Sequence, residues 1–169
     1  MGNIIAAAKK NDITIPPPDN QQEVQTKIIN AADKPSDGLK EIWLNAKSGY
    51  FDKSWLVYIE EPFTYAHFEK DSEGDGFRNF SEFEGLKAYA VCTLWSDTDS
   101  RIKIYEMLEG KEKGNLIAFP FSALDIYYSH KTCQEFLKVI ETTAKWQDQG
   151  DDTDAIFDNF FEAPKKKAQ

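Results

Sequence analysis

Between positions 71 and 82 the chain sets oxygen-bearing side chains at intervals that could surround one ion. Asp71, Glu73, Asp75, Asn79 and Glu82 take the first, third, fifth, ninth and twelfth places of this stretch, and Gly76 stands sixth. Carboxylate and amide oxygens suit a hard divalent cation. Glycine allows the sharp bend that wraps the chain around it, and a closing glutamate can clamp with both oxygens. The chemistry on offer is ion capture, with those five oxygen-bearing residues as candidate metal ligands.

This spacing resembles an EF-hand calcium loop, and the likeness is confined to residues 71–82. It implies calcium as the cofactor. Two positions depart from the pattern. The longer Glu73 stands third, where Asp or Asn is usual, and Arg78 stands eighth, where an aliphatic residue normally ties one loop to a partner loop. Lys70 precedes the loop where an apolar residue is expected, and residues 62–68 read equally as a strand. Asp97, Thr98 and Asp99 begin like a second loop, but Arg101 and Ile102 fall at its fifth and sixth places. The competing reading is an acidic turn joining residues 63–70 to 77–83, with glycines supplying the bend and no cofactor bound.

Composition narrows the other possibilities. The 169 residues are 41% hydrophobic and 14% aromatic, enough for one substantial core. With 29 Asp and Glu against 20 Lys and Arg, the net charge is −9, and such a surface repels phosphate. Direct nucleic-acid binding is therefore disfavoured, and the one basic run, Lys165 to Lys167, reads as a solvated tail. No apolar run approaches the ~18 residues of a transmembrane helix. The first residues lack a secretory signal, and Ala6 stands where a myristoylation signal wants Ser or Thr, so an intracellular protein is expected. Cys92 and Cys133 lie in apolar surroundings without metal-ligand spacing and read as buried thiols.

Enzyme signatures are missing. There is no phosphate-binding glycine loop, no nucleophile elbow and no His-Glu-x-x-His, and the two histidines, His67 and His130, lie far apart. Asp97 and Asp99 resemble the metal-binding Asp-x-Asp of nucleotide-sugar transferases, but a turn accounts for them more simply. No catalytic residue is assigned, and the chain reads as non-enzymatic.

The elements that must position these residues follow from periodicity. Residues 1–18 form an N-terminal arm ending in the extended spacer Pro16, Pro17 and Pro18. Residues 19–146 form a single α+β domain, and residues 147–169 an acidic, aromatic tail. Asp19 or Asn20 is placed to cap a helix running to about Ala32, with Glu23 in a capping box and Val24 and Ile28 on one face. Residues 34–38 read as a turn, and from residue 39 onward strand signals gather. The runs 55–59, 88–95, 101–107 and 116–119 read as strands, the middle two joined through the turn-forming residues 96–100 as an antiparallel hairpin. Thr132 and Glu135 form a capping box opening an amphipathic helix to Trp146. The expected fold is α+β: a mostly antiparallel β-sheet, a C-terminal amphipathic helix packed on one face, and an N-terminal helical arm.

Function is then sought on the surface. Residues 60–84 hold eight acids against Lys70 and Arg78, a net −6, interleaved with aromatics. Such a mixture can draw a basic protein surface by charge and hold it by buried rings. The candidate partner-binding residues are Phe63, Tyr65, Glu69, Asp71, Glu73, Asp75 and Phe77, with Phe157, Phe160 and Phe161 of the tail at helical spacing for a partner groove. A non-enzymatic acidic protein is expected, of inhibitor, immunity or antagonist type or an accessory subunit of an assembly. Calcium binding at 71–82 is the alternative. If that stretch holds calcium, titration with the ion gives a saturable change in tryptophan fluorescence that Asp71→Ala combined with Glu82→Ala abolishes. A flat titration removes the reading.

Overall fold

The computed structural model describes residues 17–49, 51–52, 57–68, 81–95, 101–120, 126–130 and 165–166. The first helix, α1, spans Gln21–Asn30 and buries Val24 and Ile28, which lie one turn apart. Asn20 gives no side-chain cap, and Glu23 pairs along the surface with Lys27 Nζ at 3.0 Å, so the expected capping box does not form. The helix ends before Ala32 because Lys34 Nζ folds back to the carbonyls of Ile28 and Ile29, at 3.2 and 2.5 Å.

Residues 34–38 are more than a turn. Ser36 Oγ accepts the Leu39 N–H at 3.2 Å and opens a second helix, α2, over Asp37–Asn45. Leu39, Ile42 and Trp43 recur at three- and four-residue spacing and are all buried. Helix α1 packs against α2, so it belongs to the folded body and does not stand off as an arm.

The strands are β1 (Phe51–Asp52), β2 (Val57–Ile59), β3 (Tyr65–His67), β4 (Lys87–Trp95), β5 (Arg101–Met107), β6 (Leu116–Pro120), β7 (Ile126–His130) and β8 (Lys165–Lys166). They lie in the order β1-β2-β4-β5-β6-β7-β8, with β3 also beside β4, and every pairing is antiparallel. The expected hairpin is present: Trp95 pairs with Arg101 and Leu94 with Ile102. Of the basic run expected in solvent, Lys165 and Lys166 pair as backbone with Tyr127 and Ile126. The expected helix over residues 132–146 and the rest of the tail lie outside the described residues.

One face of the sheet carries the main cluster, in which Ala88, Tyr105, Met107, Ile117, Phe119 and Tyr127 receive Phe68 and Phe83. Rings of Phe68, Phe83 and Phe119 meet edge to face, with centroids 5.5–6.3 Å apart. The other face receives the helices: Trp43 stands edge-on to Tyr89, with centroids 5.1 Å apart. Cys92 is buried as expected, and that burial pushes its thiol pKa up. Among the described residues no helix is long and apolar enough to cross a membrane.

Glu106 joins the two layers. It is 2% exposed, its Oε2 accepts the Ser36 N–H at 3.1 Å, and its Oε1 has no partner. Burial raises its pKa above the ordinary 4.5, and the bonds from Ser36 only partly oppose this. The native state therefore holds the proton more tightly than the unfolded chain. Its stabilising contribution is complete below about pH 4.5 and is lost as pH rises through the raised folded value. Glu106→Gln should stabilise the protein by about 1–2 kcal/mol at pH 7.5 and change little at pH 4 in chemical denaturation. An equal difference at both pH values would contradict this assignment.

Candidate interaction edge

Two short strands share one edge of β4, and the chain between them shapes the surface. Strand β2 pairs along residues 92–94, β3 along residues 87–89, and the register shifts between Ala90 and Cys92. Such a bulge leaves backbone groups to be satisfied, and the crossing segment does so: Glu60 N–H donates to Val91 O at 3.1 Å, and Ala90 N–H donates to Thr64 O at 2.9 Å. Residues 61–64 make the reversal. Thr64 closes it through N–H and Oγ1 bonds to Glu61 O, at 3.3 and 2.7 Å.

Phe63 takes φ +61° in this turn, a left-handed conformation unfavourable for a bulky side chain. Its ring is held against Trp43 at 4.6 Å and Tyr89 at 6.0 Å between centroids. Packing on buried aromatics offsets the backbone strain. Phe63 therefore supports the surface from beneath, and its ring is partly buried.

Tyr65 is the exposed aromatic of this edge, 42% accessible, with its hydroxyl fixed from below. That hydroxyl donates to Asp33 Oδ2 at 2.9 Å, the same oxygen that accepts Lys87 Nζ at 2.8 Å. Tyr89 OH donates to the Asp33 carbonyl at 2.6 Å and lies 3.3 Å from Tyr65 OH. Lys87 Nζ also sits 5.4 Å from the centre of the Tyr65 ring. The bonds from Lys87 and Tyr65 hold the Asp33 carboxyl below its ordinary value, and Asp33 in turn raises Lys87. Burial pushes the Tyr89 hydroxyl upward, so it remains a proton donor at neutral pH.

Beside this edge opens a cleft of about 320 Å³, lined by Glu60, Thr64, Ala66, Thr93, Lys103 and Tyr105 among others. Glu60 is half-buried there, and that burial raises its carboxyl pKa against the opposing pull of Lys103. Tyr58, paired with Thr93 across β2 and β4, adds a second exposed ring on the face that Thr93 shares.

The expected site residues divide accordingly. Tyr65 is exposed on the edge and Phe63 lies under it. Phe68 and Phe83, part of the same acidic and aromatic region, are core residues. Glu82 lies in a single 3-10 turn over Ser81–Phe83 and is bonded to Lys111 Nζ. Asp71, Glu73, Asp75, Asn79, Glu69, Phe77, Phe157, Phe160 and Phe161 lie outside the described residues. No group of three or more potential metal-ligating side chains occurs among the described residues.

Sequence reasoning missed Asp33, Lys87 and Tyr89, because long-range pairing alone brings residue 33 to residues 65, 87 and 89. It also missed the cleft at Glu60, although a glutamate immediately after an apolar strand was visible.

No protein-family model, curated protein or solved structure matches this chain. The fold defines an α+β protein with a mostly antiparallel sheet.

The Asp33 cluster has a direct test. In a carbon-detected NMR titration Asp33 should titrate below its ordinary value, and its pKa should rise in Lys87→Met and, by less, in Tyr65→Phe. An unperturbed Asp33 in the native protein would show that the cluster does not hold in solution.

Proposed function

We propose that this protein acts without catalysis, by binding a basic protein surface through the edge around Tyr65. An inhibitor, immunity or antagonist role, or that of an accessory subunit, fits this mode of action. The observation that carries the reading is Tyr65 itself: a large ring, substantially exposed, yet held in one orientation by Asp33 and Tyr89. An aromatic ordered before binding loses little freedom when a partner covers it, which is the property of an interface anchor.

Charge supports the same reading. Lysines pair with Glu23, Asp37, Asp19, Asp33 and Glu82, whereas exposed Glu61 and Glu84 take part in none of these pairs. With a chain charge of −9, this draws a basic partner and speeds encounter. Calcium binding at residues 71–82 is kept as the second reading, on the six matching positions of that stretch.

Immobilised protein incubated with lysate of its native host should retain a basic protein at low salt and release it at high salt. Tyr65→Ala should weaken retention about 30-fold, as expected for an anchor, and Glu61→Lys should slow association. Retention that neither substitution alters would overturn the proposal.

A further inference from the structure

The edge of β3 offers more than a side chain. Thr64 O accepts from Ala90 N–H, and Phe68 N–H donates to Leu86 O at 3.2 Å, so alternate residues of this strand turn their backbone groups toward β4. By the alternation of an antiparallel ladder, the N–H and C=O of Tyr65 and His67 point the other way. Among the described residues no backbone hydrogen bond occupies them. An unpaired row of this kind is a template for another strand.

Side chains at this edge favour one kind of occupant. Tyr65 and His67 lie on one face with their rings stacked, centroids 6.5 Å apart, giving an incoming chain an aromatic strip. On the other face stands the small Ala66, which leaves open the way into the cleft that holds Glu60. A half-buried carboxylate whose burial Lys103 offsets only in part gains from a second cation. A second copy of this chain would bring another −9 to the same edge, so self-pairing is opposed by charge.

We infer that the partner binds by strand addition. An extended segment bearing lysine or arginine pairs with the outward backbone of Tyr65 and His67, lays apolar side chains on their rings, and sends a basic side chain past Ala66 toward Glu60. Main-chain bonds supply affinity, and the cleft supplies selection for a basic residue. The inference rests on the proposed binding of a basic protein and specifies its form.

The test uses the full chain and a ten-residue peptide alternating valine with lysine or arginine, followed by amide hydrogen exchange and fluorescence anisotropy. Saturating peptide should slow exchange at the Tyr65 and His67 amides about tenfold or more, and alternate N-methylation of the peptide should weaken binding at least about tenfold. His67→Pro, which removes an outward donor that β4 does not use, should weaken binding similarly. Because the N-methylated peptide leaves the protein unaltered, the outcome does not depend on that variant folding.

Salt-sensitive peptide binding that leaves the Tyr65 and His67 amides unprotected, and that tolerates N-methylation, would overturn strand addition while the binding of a basic surface stands. Protection that grows with protein concentration alone would assign the edge to a second copy and overturn the inference. If no peptide binds while a native basic protein is still retained, strand addition again fails alone. If neither binds, both readings fall.

Discussion

Strand β4 must be satisfied on four sides, and the rest of the structure is arranged to do it. Its faces bury Ala88 against Phe68 and Phe83, and Tyr89 against Trp43. One edge is taken by β5 along nearly its whole length, while the other is divided between β2 and β3 around the irregularity at Val91. Strand β5 stays paired on both sides of that bulge, but on the opposite edge Ala90 and Val91 fall between the two short strands. The reversal at residues 61–64 solves the problem by supplying Glu60 N–H and Thr64 O at the break. The strained Phe63 and the cleft at Glu60 are consequences of the same solution.

Those consequences link packing to the proposed interaction edge. The turn that completes the sheet leaves β3 short, with one edge bonded to β4 and the other without a strand partner among the described residues. Asp33 then makes the exposed Tyr65 part of a fixed network reaching from the end of α1 through β3 to β4. Preorganisation is what separates this ring from an exposed apolar residue such as Ile29, which needs no special explanation.

The legible parts of the fold were those with a local cause. Alternation and β-branched content located β4, β5 and β6 to within a residue or so, and the short polar linker identified the β4–β5 hairpin. Helix α2 was legible in principle, since Ser36 precedes Leu39, Ile42 and Trp43 at helical spacing, but the Pro35 and Gly38 punctuation masked it. The capping box at Glu23 was a false signal: the glutamate had a better partner in Lys27 on the helix surface. At the candidate edge, the aromatic and acidic density around residues 60–84 takes in Tyr65, which was named. Composition cannot say which rings turn inward, however. Phe68 and Phe83 turn into the core, whereas Tyr65 stays exposed. Asp33 carries no local mark, because its role arises from contacts 32 to 56 residues away.

The central claim is that the Tyr65 edge is where another protein meets this one. A photoreactive benzoylphenylalanine placed at position 65 in the native host, with Gln22 substituted likewise as an exposed comparison, measures this directly. The expected result is a cross-link from position 65 to a basic protein, suppressed by high salt and missing from position 22. Equal cross-linking from both positions, or none from position 65, would contradict it.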